Sequence, residues 1–161
     1  RESKGHLYEG GIRVPMIVRW PGQVNPGVVC HEPVVSMDFY PTFLDVAGLK
    51  PTGKPLDGES LVSLFKQTGK FKKRDLYFHF PNYAWHMDNR LGGAVRSGDY
   101  KMIRNYDDQS VELYDLKSDL SETKNLVNQQ PQLANQLNIK LTEWLKETDA
   151  LMPSPPNPTE Q

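Results

Sequence analysis

Apolar residues recur at period two over residues 76–80 and at three- and four-residue spacing near the C-terminal end. In Leu76-Tyr77-Phe78-His79-Phe80, Leu76, Phe78 and Phe80 share one face of an extended segment and Tyr77 and His79 the other, which predicts a strand. Residues 94–96 and 100–104 flank Ser97-Gly98-Asp99, and glycine at the strained position of the turn predicts a hairpin. Residues 111–116 predict a further strand. From about Pro131 to Thr148 the residues Leu133, Leu137, Leu141, Trp144 and Leu145 fall on one stripe of a helix whose remainder is polar. A sheet with one apolar face needs a cover, so this helix is expected to lie on it, its stripe serving packing rather than a ligand.

The N-terminal third is patterned differently. The run Val14 to Trp20, bounded by Pro15 and by Pro21-Gly22, reads as a short buried strand. A helix follows, capped by Ser36 or Asp38, with Pro41 in its first turn, Gly48 at its end and Pro51 just beyond. The alternating Pro, Gly and Lys of residues 50–55 predict a loop and a boundary. The expected parts are residues 1–52, residues 53–152 and a flexible tail over 153–161, where Pro153, Pro155, Pro156 and Pro158 remove backbone donors.

Composition narrows the function classes. The 161 residues are 37% hydrophobic, and no apolar run approaches the ~20 residues that span a bilayer. The 19 basic and 20 acidic residues leave a net charge of −1, which speaks against nucleic acid as a partner and requires any anionic ligand to be held by local groups. The single cysteine, Cys30, has no neighbour that would activate a thiolate and reads as a small buried hydrophobe. His6 and His31 have no partner at ligand spacing, so no metal site is read from them.

One stretch carries chemistry. In Lys4-Gly5-His6-Leu7-Tyr8-Glu9-Gly10-Gly11-Ile12-Arg13-Val14-Pro15, the paired glycines let the backbone take φ > 0 or approach another segment closely, so a loop delivers Lys4 beside the apolar run. The stretch resembles the lysine segment of the formylglycine-dependent sulfatases of the arylsulfatase type. Residues 38–49, 56–61, 96–101 and 112–116 resemble further segments of that family in the same order, and the resemblance covers nearly the whole chain. It implies an alkaline-phosphatase-like α/β parent. This chain would supply that domain's last strand and helix, followed by an α+β subdomain with a small antiparallel sheet packed by a C-terminal helix. It also implies a C-terminal portion cut just upstream of Lys4. The family's Cys-x-Pro/Ala-x-Arg motif is absent, because Cys30 is followed by His31-Glu32-Pro33, and no acidic cluster matches the family's metal ligands.

The resemblance further implies a sulfuric ester hydrolase acting on a sulfated small molecule or glycan. In that family a formylglycine hydrate attacks sulfur and a divalent cation, commonly Ca2+, holds the sulfate, so both belong to the missing N-terminal catalytic region. Lys4 is the candidate catalytic residue, its ammonium placed to stabilise charge on the sulfuryl oxygens. Glu9 and Arg13 are read as a pair holding the double-glycine turn. The expected substrate-binding residues are His79, Asn82, Tyr83, His86 and Arg90, which cluster at a strand end and in the loop after it, where recognition is usually placed. Asn82 stands where a histidine is often found in glycan-type sulfatases. The parent is expected in the periplasm, a lysosome or outside the cell. The alternatives are a phosphodiesterase or phosphonate monoester hydrolase of the same superfamily, and a structural or glycan-binding module. The chain alone is expected to be inactive, and its unpaired run at residues 14–20 to favour self-association.

Overall fold

The structure, a computed structural model, describes residues 1–68, 71–82 and 89–153. Among them, four antiparallel strands in the order β1-β2-β3-β4 form one sheet: β1 Leu76–Phe80, β2 Gly92–Ser97, β3 Tyr100–Asn105 and β4 Val111–Asp115. Ser97 pairs with Tyr100 across a two-residue turn, in which Gly98 takes φ 60°, a value that costs glycine nothing. The long helix Pro131–Glu147 starts on proline, which has no N–H to leave unpaired at that position, and lays Ala134, Leu137, Leu141 and Leu145 on Val95, Met102 and Leu113. Trp144 stacks on Tyr77 with ring centroids 5.0 Å apart and planes within 5°. The predicted hairpin, the strands predicted over residues 76–116 and the covering helix are therefore present.

The other face of the sheet is covered too, by the beginning of the chain. Ala94, Ile103, Tyr114 and Leu116 on that face pack against Leu7, Tyr8 and Phe78. The chain consequently divides into two compact units, one made of Arg1–Val14 together with Arg74 onward, the other of Pro15–Lys73. The boundary read from the sequence at residue 52 lies inside the second unit.

In Pro15–Lys73, two of the sequence stretches singled out above meet. Asp38, at the end of a 3-10 turn that leads into the helix Phe39–Val46, is fully buried. It does not cap that helix with its side chain; Oδ2 accepts the Val35 N–H and Oδ1 the Glu59 N–H, both at 2.9 Å. Thr42 Oγ1 donates to the Asp38 carbonyl and accepts the Leu61 N–H at 2.9 Å, so residues 59–61 are tied to the helix by its own polar groups. Gly58 is required there by contact, since a Cβ would lie 2.1 Å from the Met37 carbonyl oxygen.

Two expectations for this part of the chain fail. Residues 14–20 form no strand: Val14 is 79% and Ile17 94% exposed. A strand needs a neighbour's amides and carbonyls, and the described residues of Pro15–Lys73 include no strand for this run to pair with. Cys30 is exposed rather than buried, in an irregular stretch that no element covers. Residues 154–161 of the expected tail, and Tyr83 and His86 of the expected site, lie outside the described residues.

Candidate functional site

Lys4 is exposed at the start of a turn whose flanks are fixed on every side. The His6 N–H donates to the Ser3 carbonyl and the Gly10 N–H to that of Arg1. The helix Glu9–Ile12 is only four residues long, and both glycines of the pair lie in it with ordinary backbone angles. Of the two roles open to the glycines, close approach is the one they serve: a Cβ on Gly10 would sit 2.0 Å from the Glu2 carbonyl oxygen, and one on Gly11 2.1 Å from that of His6. Residues 1–6 are thus laid directly on the short helix, with Gly5 at φ 95° where the chain reverses.

Beneath this turn lies a buried ionic group. Lys101, wholly inaccessible, places Nζ 2.7 Å from Glu122 Oε1 and 3.1 Å from Glu9 Oε1. The Glu9 amide donates to Glu122 Oε2 at 2.7 Å, and Arg13 reaches the second Glu9 oxygen at 3.6 Å. The expected pairing of Glu9 with Arg13 is therefore the outer and longer part of a set of two carboxylates and two cations. Nearby, Glu112 accepts the hydroxyls of Tyr8, at 2.9 and 3.0 Å, and of Tyr114, while Arg1 donates to the Tyr114 hydroxyl at 3.1 Å. Burial, reinforced by the Glu112 charge and hydrogen bond, pushes both phenols well above the usual tyrosine range. Each is locked as a hydrogen-bond donor.

His79 sits on the opposite face of the sheet from Leu7 and Tyr8, because its neighbour Phe78 faces them and strand side chains alternate. Both of its nitrogens are engaged within the chain: Nε2 lies 2.9 Å from the Leu151 carbonyl and Nδ1 2.7 Å from the Tyr106 hydroxyl. A carbonyl only accepts, so Nε2 carries the hydrogen and, in the neutral ring, Nδ1 accepts the Tyr106 O–H. Gly93, paired with His79 across the strands, makes room for this contact; its Cβ would lie 2.5 Å from the Tyr106 oxygen.

The described ends of the loop after β1 are placed differently. Asn82 is exposed beyond the strand. Arg90 is held by Asp108 at 2.7 Å and by Asp107 at 3.9 Å, and the hydrogen bond it donates to Asp108 raises its already high pKa. Hydrogen bonds from Ser110, and then Arg90, hold Asp108 well below the usual carboxylate range. Asn89, buried, donates its side-chain amide to the Gly5 carbonyl. The structure thus joins the end of this loop to the residue next to Lys4, and keeps His79 on the other face.

Three contributors escaped the sequence reading. Lys101 shares a strand face with the apolar Ile103 two residues on, so a charge at an inward position of a strand was a readable signal, and glycine opposite His79 was a weaker one for Tyr106. Glu122, at φ 55° in an irregular loop, gave no local signal at all. Among the described residues, no group of three or more His, Cys, Asp or Glu comes together to hold a metal ion, so they do not fit the Ca2+ implied by the resemblance. No helix among them is long and apolar enough to cross a membrane.

Residues 3–150 match the family described as N-sulphoglucosamine sulphohydrolase, C-terminal. A sulfatase of Formosa agariphila is 39% identical over 168 aligned positions, covering 93% of this chain but only 30% of that protein. Among solved structures, i-CgsB in complex with k-i-k-neocarrahexaose shares 28% identity and a TM-score of 0.69 over 84% of this chain and 29% of its own. Another, in complex with its substrate D-glucosamine-2-N,6-O-disulfate, shares 29% identity and a TM-score of 0.57 over 70% of this chain and 24% of its own. The chain therefore spans less than a third of the length of each.

Proposed function

We propose, from the premise that this chain belongs to the N-sulphoglucosamine sulphohydrolase C-terminal family, that it is part of a sulfuric ester hydrolase acting on a sulfated glycan, with Lys4 as a sulfate contact. The observation that carries the role of Lys4 is its presentation: an exposed ammonium on a turn braced by close glycine contacts, a buried ionic group and a bond from the loop after β1. Sulfate-ester cleavage builds negative charge on the leaving oxygen and keeps it on the sulfuryl oxygens. A cation fixed there before reaction stabilises that charge without reorganising. A glycan rather than a simple aryl ester is supported by the solved relative whose substrate is a disulfated glucosamine.

On this reading the formylglycine nucleophile and the Ca2+ belong to residues outside this chain, and the parent lies in the periplasm, a lysosome or outside the cell; these points rest on the resemblance. Asn82, Tyr83, His86 and Arg90 would meet the sugar around the sulfate. His79, with both nitrogens committed, would act by placing the strand end and Tyr106. The test is Lys4→Ala in the longer protein that carries the nucleophile. Loss of one transition-state oxyanion contact should lower kcat by roughly 10²- to 10³-fold. A kcat near that of the parent would remove Lys4 from the sulfate.

A further inference from the structure

We infer that Lys101 is a positioning residue, which fixes the turn bearing Lys4 through Glu9 and Glu122; its consequence for catalysis rests on the sulfate role proposed for Lys4. Lys101 stands on β3, 92 residues from Glu9 in the chain, and its ammonium is shared between Glu9 Oε1 and Glu122 Oε1 with no solvent access. Glu122 in turn accepts the Glu9 amide. Glu9 is therefore held by side chain and backbone at once, five positions after Lys4. The glycine contacts that follow leave no slack, because residues 1–6 rest on the carbonyl-to-glycine layer that Glu9 begins. Any shift of Glu9 must move the turn.

Stability alone is a poor account of this group. Buried ion pairs replaced by apolar side chains of similar volume are often neutral or stabilising, whereas directional bonds specify one register that apolar contacts would let slide. The feature being specified is the outer layer, residues 1–6, which includes the exposed Lys4 to which the sulfate role is assigned above.

The test is amide exchange of this chain with Lys101→Met. The Glu9 and Gly11 amides should exchange about 10- to 100-fold faster while the Leu137 and Leu141 amides keep their protection. Unchanged exchange at Glu9 would overturn the inference. If Lys101→Met loosens the whole sheet, the neutral combination of Glu9→Gln, Lys101→Met and Glu122→Gln decides by the same criterion. In the longer protein, Lys101→Met should lower kcat on an aryl sulfate by about 10- to 100-fold, the scale of a misplacement near 1 Å, with KM changing less. In a Lys4→Ala background the same substitution should cost less than about threefold, since it acts through a lysine already removed. Fully multiplicative losses would mean that Lys101 serves stability only. Should Lys4→Ala prove harmless, the sulfate reading falls, and exchange at Glu9 still decides whether Lys101 holds the turn.

Discussion

Gly93→Ala tests the arrangement around His79 at a single atom. The new Cβ would lie 2.5 Å from the Tyr106 hydroxyl and 3.1 and 3.4 Å from the two Leu141 methyls. The methyls are within reach of small adjustments; the hydroxyl must leave. Displacing it breaks the 2.7 Å bond to His79 Nδ1, worth about 0.5–1.5 kcal/mol, and strains the surrounding packing by about 1–3 kcal/mol. Against this, alanine in an extended strand lowers the entropy of the unfolded chain and returns about 0.4–1 kcal/mol. The net loss expected is about 1–3 kcal/mol, read from urea unfolding as a lower midpoint at constant m. Tyr106→Phe supplies the discriminating background. With the hydroxyl gone, Gly93→Ala should cost almost nothing or stabilise slightly, a coupling on the order of 1–2 kcal/mol between sites that touch. Additive losses would refute the reasoning, because the clash would then lie with Leu141 or the backbone and not with Tyr106.

Two further expectations concern the chain as a whole. The Tyr8 and Tyr114 phenols are raised above the ordinary 10.0, so unfolded tyrosines lose protons as the pH rises past 10 while the folded ones keep theirs. The unfolded state then binds fewer protons and stability falls with further rise in pH, whereas below pH 10 the contribution is intact. Replacing both tyrosines by phenylalanine should flatten that decline in alkaline melts, and an unchanged slope would contradict it. Met16, Ile17, Phe43 and Leu49 are 41%, 94%, 67% and 61% exposed, and burying such a side chain is worth about 1.5–3 kcal/mol. Sedimentation should show concentration-dependent association that Ile17→Lys with Phe43→Lys reduces; a monomer at every concentration would count against it.

What the sequence disclosed follows from where each element finds its partners. The strands 76–80, 100–105 and 111–115 and the helix 131–147 were legible because their periodicity and the surfaces they bury against both lie in this chain. Residues 14–20 have the composition of a strand without a ladder to join, and the apolar run alone could not report that. The docking of residues 1–14 on the sheet was hidden for another reason. It depends on Glu9 meeting Lys101 and Glu122 across 92 and 113 residues, and on Asn89 meeting Gly5 across 84, separations at which local patterning is silent. Lys4 is singled out as a candidate by its glycines and the resemblance they carry. The bonds that brace it, and the engagement of both His79 nitrogens, needed coordinates.

The sulfate role of Lys4 is tested most directly by a crystal structure, bound to a sulfated glucosamine, of the longer protein proposed above to carry the nucleophile. Lys4 Nζ is expected at about 2.7–2.9 Å from a sulfate oxygen, the distance of a charge-assisted hydrogen bond, with the Glu9–Lys101–Glu122 group intact beneath it. A sulfate held entirely by other residues, with Lys4 turned to solvent, would contradict it.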